Sequence, residues 1–503
     1  MKLSDIRFSR ISEPEIQKDV FDNLDGLVEE LKEYSKSSER IVSFVQYSYL
    51  ISASLFERYK NIIDSDGDNY SKQADDCLTR STYVCRLGIF DSYKYRADNA
   101  FISNLNPDFF TSLIELHILY SHVLRASWKF FEASDTLRVA RRFFDTFSIR
   151  YSTSDGIDIS KINDLEKRIV TSEFDVATNV MGLCPFMAPY MMEWEKHLKS
   201  AGFQYASMYD YRSDPEEMNK QFNGMRYYED ECEYDGSSEH LAYRKYCWDY
   251  NHLVSCFNVL YPYYYEKGAV PYRMMEDFFP LEFFKNQDSK SLMADIIQSF
   301  AHSRYLWFID YNNTPVSHYP VQNVIDSDAH GYRGAAIEGL IDCYSRCYTI
   351  LDKVAKVVQI EWGITLEKNK RAYFSEIFKK ILRTSSLRSN VFLRNLALLY
   401  PDVNPALPTD GELKKRKKNN GEKPAYKSKY DYSMWPEIEH LDTIRNHIQH
   451  AGLVVTHVKV DAESKFVAYI TEQDLLTQTD RLLSITKNAV LYLYGAIMIR
   501  KKD

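Results

Sequence analysis

Between residues 336 and 360, apolar side chains fall at Ile337, Leu340, Ile341, Tyr344, Tyr348, Leu351, Ala355 and Val358. Steps of three and four bring such a series to one side of an α-helix, and of no other regular structure. The same period recurs over much of the chain, more weakly across 184–230. It predicts a helix over 14–35, opened by Glu13-Pro14 and carried by Ile16, Val20, Phe21, Leu24, Leu27, Val28 and Leu31. Further helices are expected at about 39–63, 70–97, 107–148, 161–180, 240–265, 290–309 and 373–400. A last one, 472–499, packs through Leu475, Leu476, Leu482, Leu483, Ile485, Val490, Leu493 and Ile497, with Arg500-Lys501-Lys502 at its C-terminal dipole. Strand-like alternation is confined to 453–460 and 466–470, which flank Asp461-Ala462-Glu463-Ser464-Lys465 and predict a small β-hairpin. The expected fold class is therefore all-α: an N-terminal region of helical hairpins and a C-terminal helical bundle with a small β-hairpin.

A chain of 503 residues exceeds one ordinary core. A boundary is expected near 285, after the aromatic run Phe278-Phe279-Pro280-Leu281-Glu282-Phe283-Phe284, dividing 1–285 from 286–503. Before it, 184–230 is rich in Met, Pro and Tyr, and Glu229-Asp230-Glu231-Cys232-Glu233-Tyr234-Asp235 forms an acidic knot. Carboxylates that dense could bind a divalent cation, but their spacing matches no known metal loop and a solvated loop is the expectation. The eight cysteines form no CxxC pair and no zinc spacing with His, so no metal centre or cofactor is implied. Cys343 and Cys347, one turn apart, read as core thiols of a reducing compartment. The N-terminus lacks an apolar signal core and no run of 18 apolar residues occurs, so a cytoplasmic protein without membrane contact is expected.

The chemistry gathers in Leu441-Asp442-Thr443-Ile444-Arg445-Asn446-His447-Ile448-Gln449-His450. On a helix with Arg445 at zero, Gln449 falls at roughly 40°, Asn446 at roughly 100°, His450 at roughly 140° and His447 at roughly 200°. Leu441, Ile444, Ile448 and Ala451 occupy the other side, at roughly 240–320°, and Gly452 supplies a helix stop. An apolar stripe would thus anchor a face bearing a guanidinium, two amides and an imidazole. Such a face can stabilise and protonate a phosphate in transfer. The alternative is a surface helix whose polar side merely carries these groups. No other His in the chain has an Arg five residues before it. Neither a Walker A sequence nor HExxH, GxSxG or GxGxxG occurs.

Arg445-Asn446-x3-His450, late in a helical C-terminal region, resembles the HEPN superfamily of ribonucleases and nucleotide-binding domains. The series Leu340 to Ala355 before it and Leu482 to Tyr494 after it resemble the branch in which a tetratricopeptide-like helical region precedes a C-terminal HEPN domain. The resemblance spans roughly the last 200 residues. No 34-residue repeat emerges in the N-terminal part, so the solenoid-like reading rests on the resemblance alone. It implies a composite site at a homodimer interface, with a polar residue from the earlier helix, Asp352 or Arg346, beside the motif. A plain solvated face is the alternative for that pair.

Metal-free RNA cleavage needs a base for the 2′-hydroxyl, an acid for the leaving 5′-oxygen and positive charge for the phosphorane. Arg445 would supply the charge, His450 a proton-transfer group and Asn446 a phosphate or helix contact, with His447 and Gln449 in support. One imidazole serves one proton transfer at a time, which favours two facing copies. The formal net charge of −8 argues against RNA binding over the whole surface. The stretch 413–429, however, holds eight Lys or Arg against one Glu. Its Lys414, Lys415, Arg416, Lys417 and Lys418 are either a guide for RNA or a solvated linker. The expectation is a metal-independent endoribonuclease, a toxin or antiviral effector whose 1–285 region senses a protein or nucleotide trigger. The alternative is a non-catalytic scaffold of the same fold that binds RNA or nucleotide.

Overall fold

The computed structural model describes the chain apart from residues 38–39, 67–71, 95–106, 152–158, 183, 185–186, 204–237, 268–269, 271–274, 280, 282, 312–330, 333–334, 367–372, 400–440, 451, 457–466 and 501–503. The expectations for the acidic knot and for the basic stretch with Lys414 to Lys418 lie outside the described residues. The fold is all-α with one small sheet, and the described residues form two compact units that divide between Val180 and Met181. This division by contact keeps 181–282 with the C-terminal helices.

The first unit holds α1 (Pro14–Asp22), α2 (Leu24–Tyr34), α3 (Ile41–Asp66), α4 (Lys72–Lys94), α5 (Pro107–Ala126), α6 (Phe130–Tyr151) and α7 (Ile159–Met181). α3 packs on α4, and both pack on α5, which pairs in turn with α6. Close approach of α3, α4 and α5 depends on Gly88, where a Cβ would lie 2.6 Å from Ser48 Cβ and 2.9 Å from Leu116 Cδ2. Buried polar contacts tie the later helices. Arg86 of α4 donates to the Tyr120 hydroxyl of α5 at 2.5 Å and to Glu132 of α6 at 3.1 Å. Arg141 of α6 pairs with Glu173 of α7, both side chains buried. Breaking a buried pair of this kind by removing one partner costs about 3–5 kcal/mol, because the other charge is stranded.

The second unit contains α8 (Ala188–Ser200), α9 (Ser238–Asp249), a 3₁₀ turn (Cys256–Leu260), α10 (Tyr261–Lys267), α11 (Gln287–Tyr311), α12 (Ala335–Glu361), α13 (Phe374–Arg383), α14 (Ser385–Arg388), α15 (Val391–Leu398), α16 (Leu441–His450) and α17 (Glu472–Met498). Its centre is α12, packed on α11, α13, α16 and α17. All eight apolar positions expected on α12 are buried. α15 packs on α17 so closely that a Cβ at Gly495 would meet the Phe392 ring at 2.8 Å.

The expected helix 14–35 divides at Asn23 into α1 and α2, 373–400 divides into α13, α14 and α15, and two more are interrupted by a left-handed residue. The 107–148 pattern stops at Ala126 and restarts at Phe130, and 240–265 stops at Asp249. In both places a non-glycine residue takes the left-handed conformation, Trp128 at φ 61 and Asn251 at φ 58. The following amide then reaches back to close the helix end, Lys129 to the Leu124 carbonyl at 2.8 Å and His252 to that of Cys247 at 2.8 Å. Gly202 and Gly363 close α8 and α12 in the same way.

The strands expected near the C-terminus are neighbours in one sheet of order β1-β2-β3, with β1 at Gly331–Tyr332, β2 at Gly452–Thr456 and β3 at Val467–Thr471. β2 and β3 pair in parallel, Gly452 opposite Val467 and Thr456 opposite Thr471, rather than antiparallel as a hairpin would. β1 lies between α11 and α12 and pairs antiparallel with β2 on its other side. β2 is therefore the central strand.

The loop after α9 is clamped to α11 and α17. Arg304 of α11 makes a two-pronged pair with Asp277 at 2.8 and 2.9 Å and donates to the His252 carbonyl and the Tyr243 hydroxyl, each at 2.9 Å. Lys487 of α17, almost fully buried, donates to the Asn251 carbonyl at 2.9 Å, and His252 Nε2 lies 3.4 Å from Asp480 Oδ1. At the C-terminus Arg500 does not sit free over the end of α17. It pairs with Glu361 at 2.8 Å and covers the Trp362 ring, with its Cζ 5.3 Å from the centroid.

Candidate functional site

Leu441 and Ile444 turn inward from α16 and are buried, and Ile448 is half-buried on the same side. The helix ends at His450 and β2 begins at Gly452, where the sequence places a stop. Against α16 lies one row of α12, Tyr344, Tyr348 and Asp352, spaced by four so that all three share a face. Tyr344, fully buried, donates its hydroxyl proton to the Leu441 carbonyl at 2.6 Å and so fixes the first turn of α16.

One turn further along both helices, the Arg445 guanidinium lies over the Tyr348 ring, with Cζ 5.1 Å from the centroid. The Tyr344 and Tyr348 rings stand 5.6 Å apart. The half-buried Asp352 completes the row. Burial raises the pKa of its carboxyl, while the Phe374 amide and the Arg445 charge both act to lower it; the net shift is upward. The Phe374 amide donates to Asp352 Oδ1 at 2.8 Å, so this carboxylate also caps the N-terminus of α13, where a negative charge is favoured.

The structure thus brings Arg445 and Asp352 into one electrostatic neighbourhood. Asn446 and Gln449 are exposed on α16. The backbone of His447 and His450 is helical, but their side chains lie outside the described ones. Arg346 is exposed on α12, about 160° around the helix from Tyr348 and so away from Arg445. Lys353, on the same polar side, is engaged with Asp295 of α11 at 2.6 Å. Tyr348 as a partner of Arg445 is not apparent from the sequence. Its only signal is the Tyr344–Tyr348–Asp352 spacing, which a core stripe explains equally well until α16 is placed against it.

The arrangement presents a partly desolvated guanidinium braced from beneath by an aromatic face, with a carboxylate in its field. Such a group meets phosphate oxygens in two-pronged fashion without first having to be ordered. Among the described residues no helix is long and apolar enough to cross a membrane, and no group of three or more His, Cys, Asp or Glu is placed to hold a metal ion.

Comparison with known families matches residues 283–500 to LA2681-like HEPN. No curated protein and no solved structure matches the chain. With its motif helix anchored on α12 and closed by α17, the C-terminal region of this chain is a HEPN-superfamily domain.

Proposed function

We propose that this protein is a HEPN-type endoribonuclease, with Arg445, Asn446 and His450 as its catalytic set. The observation that supports it most is the placement of Arg445: it belongs to the Arg-Asn-x3-His series of a HEPN domain, and the Tyr348 ring and the field of Asp352 hold it in one position. In this reading the 2′-hydroxyl of RNA attacks the adjacent phosphorus and the 5′-oxygen leaves. Arg445 takes up the charge that develops on the equatorial oxygens, and His450 moves a proton to or from one of the two reacting oxygens. The second imidazole comes from a second copy, so the active species is a homodimer with the two α16 helices facing. Asp352 orients Arg445 through its field rather than touching RNA.

The basic residues Lys414 to Lys418 supply a salt-sensitive grip on RNA. The region 1–285 couples a trigger to the site, in keeping with a toxin or defence effector in the cytoplasm. The experiment is cleavage of total RNA with EDTA present, by wild type, His450→Ala and Arg445→Ala, each verified as folded. The expected result is 2′,3′-cyclic phosphate ends from wild type alone. Cleavage by a well-folded His450→Ala protein at the wild-type rate would refute the assignment. RNA binding without cleavage by wild type would favour the scaffold reading.

A further inference from the structure

Four residues before α8, the chain carries Cys184; the 3₁₀ turn Cys256–Leu260 begins with Cys256. The two sulfurs lie 2.7 Å apart although the residues are 72 positions apart in sequence. Non-bonded heavy atoms settle at about 3.5–4.0 Å, so these thiols already stand inside ordinary contact. Both are buried, Cys184 at 0% and Cys256 at 3% exposure.

Each segment is held by contacts of its own. The Cys184 amide donates to the Met181 carbonyl at 3.1 Å, and its carbonyl accepts from the Met187 amide at 3.0 Å. On the other side, Ser255 Oγ accepts from the Phe257 amide at 3.2 Å, and Asn258 Nδ2 donates to the Leu253 carbonyl at 2.6 Å. Aromatic contacts then press α8 onto the same turn and the helix that follows it: Tyr190 meets Phe257 edge-on at 5.7 Å, and Trp194 lies 6.0 Å from Tyr263 of α10. Cys184 and the Cys256 turn are thus each fixed by hydrogen bonds that leave the two sulfurs facing.

We propose that Cys184 and Cys256 form a reversible disulfide that staples the entry of α8 to the Cys256–Leu260 turn. The inference is independent of the ribonuclease reading. The oxidant is a low-molecular-weight disulfide of the glutathione class. One cysteine, as its thiolate, attacks a glutathione sulfur, forming a mixed disulfide and expelling glutathione thiolate. The second cysteine loses its proton and attacks the protein sulfur of that mixed disulfide, expelling the second glutathione. Two protein thiols and one glutathione disulfide give one protein disulfide and two reduced glutathiones. Burial, with Cys184 alongside, pushes the Cys256 thiol well up, so the folded pair reacts slowly and the bond forms during folding or local opening.

The stapled turn follows His252 and Val254 directly. These are the residues that Arg304, Asp277 and Asp480 secure to α11 and α17. The oxidised form therefore ties the α8 region covalently to a loop already clamped on the HEPN helices. Cys247 sits nearby with its thiol pushed up to about 11 by burial, and Cys232 lies outside the described residues.

The test refolds the full-length protein in a glutathione redox buffer and maps disulfide peptides by mass spectrometry without reduction. One cross-link joining the Cys184 and Cys256 peptides is expected, retained in Cys232→Ser and lost in Cys184→Ser and Cys256→Ser. Adding reductant should lower the thermal midpoint of oxidised wild type by several degrees and leave the Cys184→Ser/Cys256→Ser double variant unmoved. Absence of any cross-link in refolded wild type, or a cross-link through Cys232 instead, overturns the proposal; the wild-type map decides even if a variant fails to fold.

Discussion

Replacing Tyr348 by leucine isolates what the aromatic face does for Arg445. The ring is 7% exposed, and the guanidinium carbon stands 5.1 Å from its centroid, so the contact is largely shielded from water. A cation–π contact is worth about 0.5–1 kcal/mol at an exposed site and about 2 kcal/mol when desolvated; this one belongs in the upper half of that range. If the ring holds Arg445 where charge develops on the phosphorane, losing about 1–2 kcal/mol of transition-state stabilisation slows turnover about 5–30-fold. The loss should fall on kcat, with KM nearly unchanged, because the guanidinium still attracts RNA phosphates from a looser position. Tyr348→Phe keeps the face of the ring and should stay within about twofold of wild type. The assay is steady-state cleavage of a short fluorogenic RNA, run well below the thermal midpoint of each variant, since the leucine also loosens the α12–α16 seam. A folded Tyr348→Leu protein with wild-type kcat would refute the reasoning, as would a phenylalanine variant as slow as the leucine one.

Two further outcomes concern the scaffold. Gly495→Ala gains about 0.5–1 kcal/mol of helix propensity, but its Cβ would meet the buried Phe392 ring at 2.8 Å. Overpacking of about 1–3 kcal/mol outweighs the gain, so urea unfolding should show a net loss; a more stable variant would mean that α15 and α17 are less tightly apposed. Glu361 is buried, which raises its pKa, yet hydrogen bonds from Ser289, Arg500 and the Asn286 amide hold it below the ordinary value of 4.5. A carboxyl depressed by folding contributes stability that is fully present above its unfolded-state pKa and lost as pH falls through the folded one. Glu361→Gln should therefore be less stable than wild type at neutral pH, with the gap narrowing as pH falls below about 4.5; a gap independent of pH would show that the carboxylate is not the source.

The sequence showed those features that depend on a helix's own periodicity. Ile337 to Val358 on α12 and Leu441 and Ile444 on α16 point inward as their spacing requires, and residues 283–500 match the family that the Arg-Asn-x3-His series suggested. What it did not show depends on partners far along the chain. Trp128 and Asn251 end helices from a left-handed conformation that glycine would have advertised. β2 and β3 pair in parallel, a sense that alternation within a strand does not encode. Arg445 looked like a group facing solvent because a helical wheel cannot reveal that Tyr348 lies beneath it.

The bracing of α16 also has a consequence for how the protein is made. Leu441 is fixed by Tyr344, 97 positions earlier, while β2 pairs with Gly331–Tyr332 on one edge and with Val467–Thr471, not yet synthesised, on the other. α17, which packs on α12 and on both longer strands, follows β3 in the chain. When His450 leaves the ribosome, the motif is complete as sequence, but half of the surfaces that hold it do not exist. Contacts this distant form late, after the chain-closure entropy has been met. A nascent or truncated chain ending before β3 carries every residue of the motif and no assembled site.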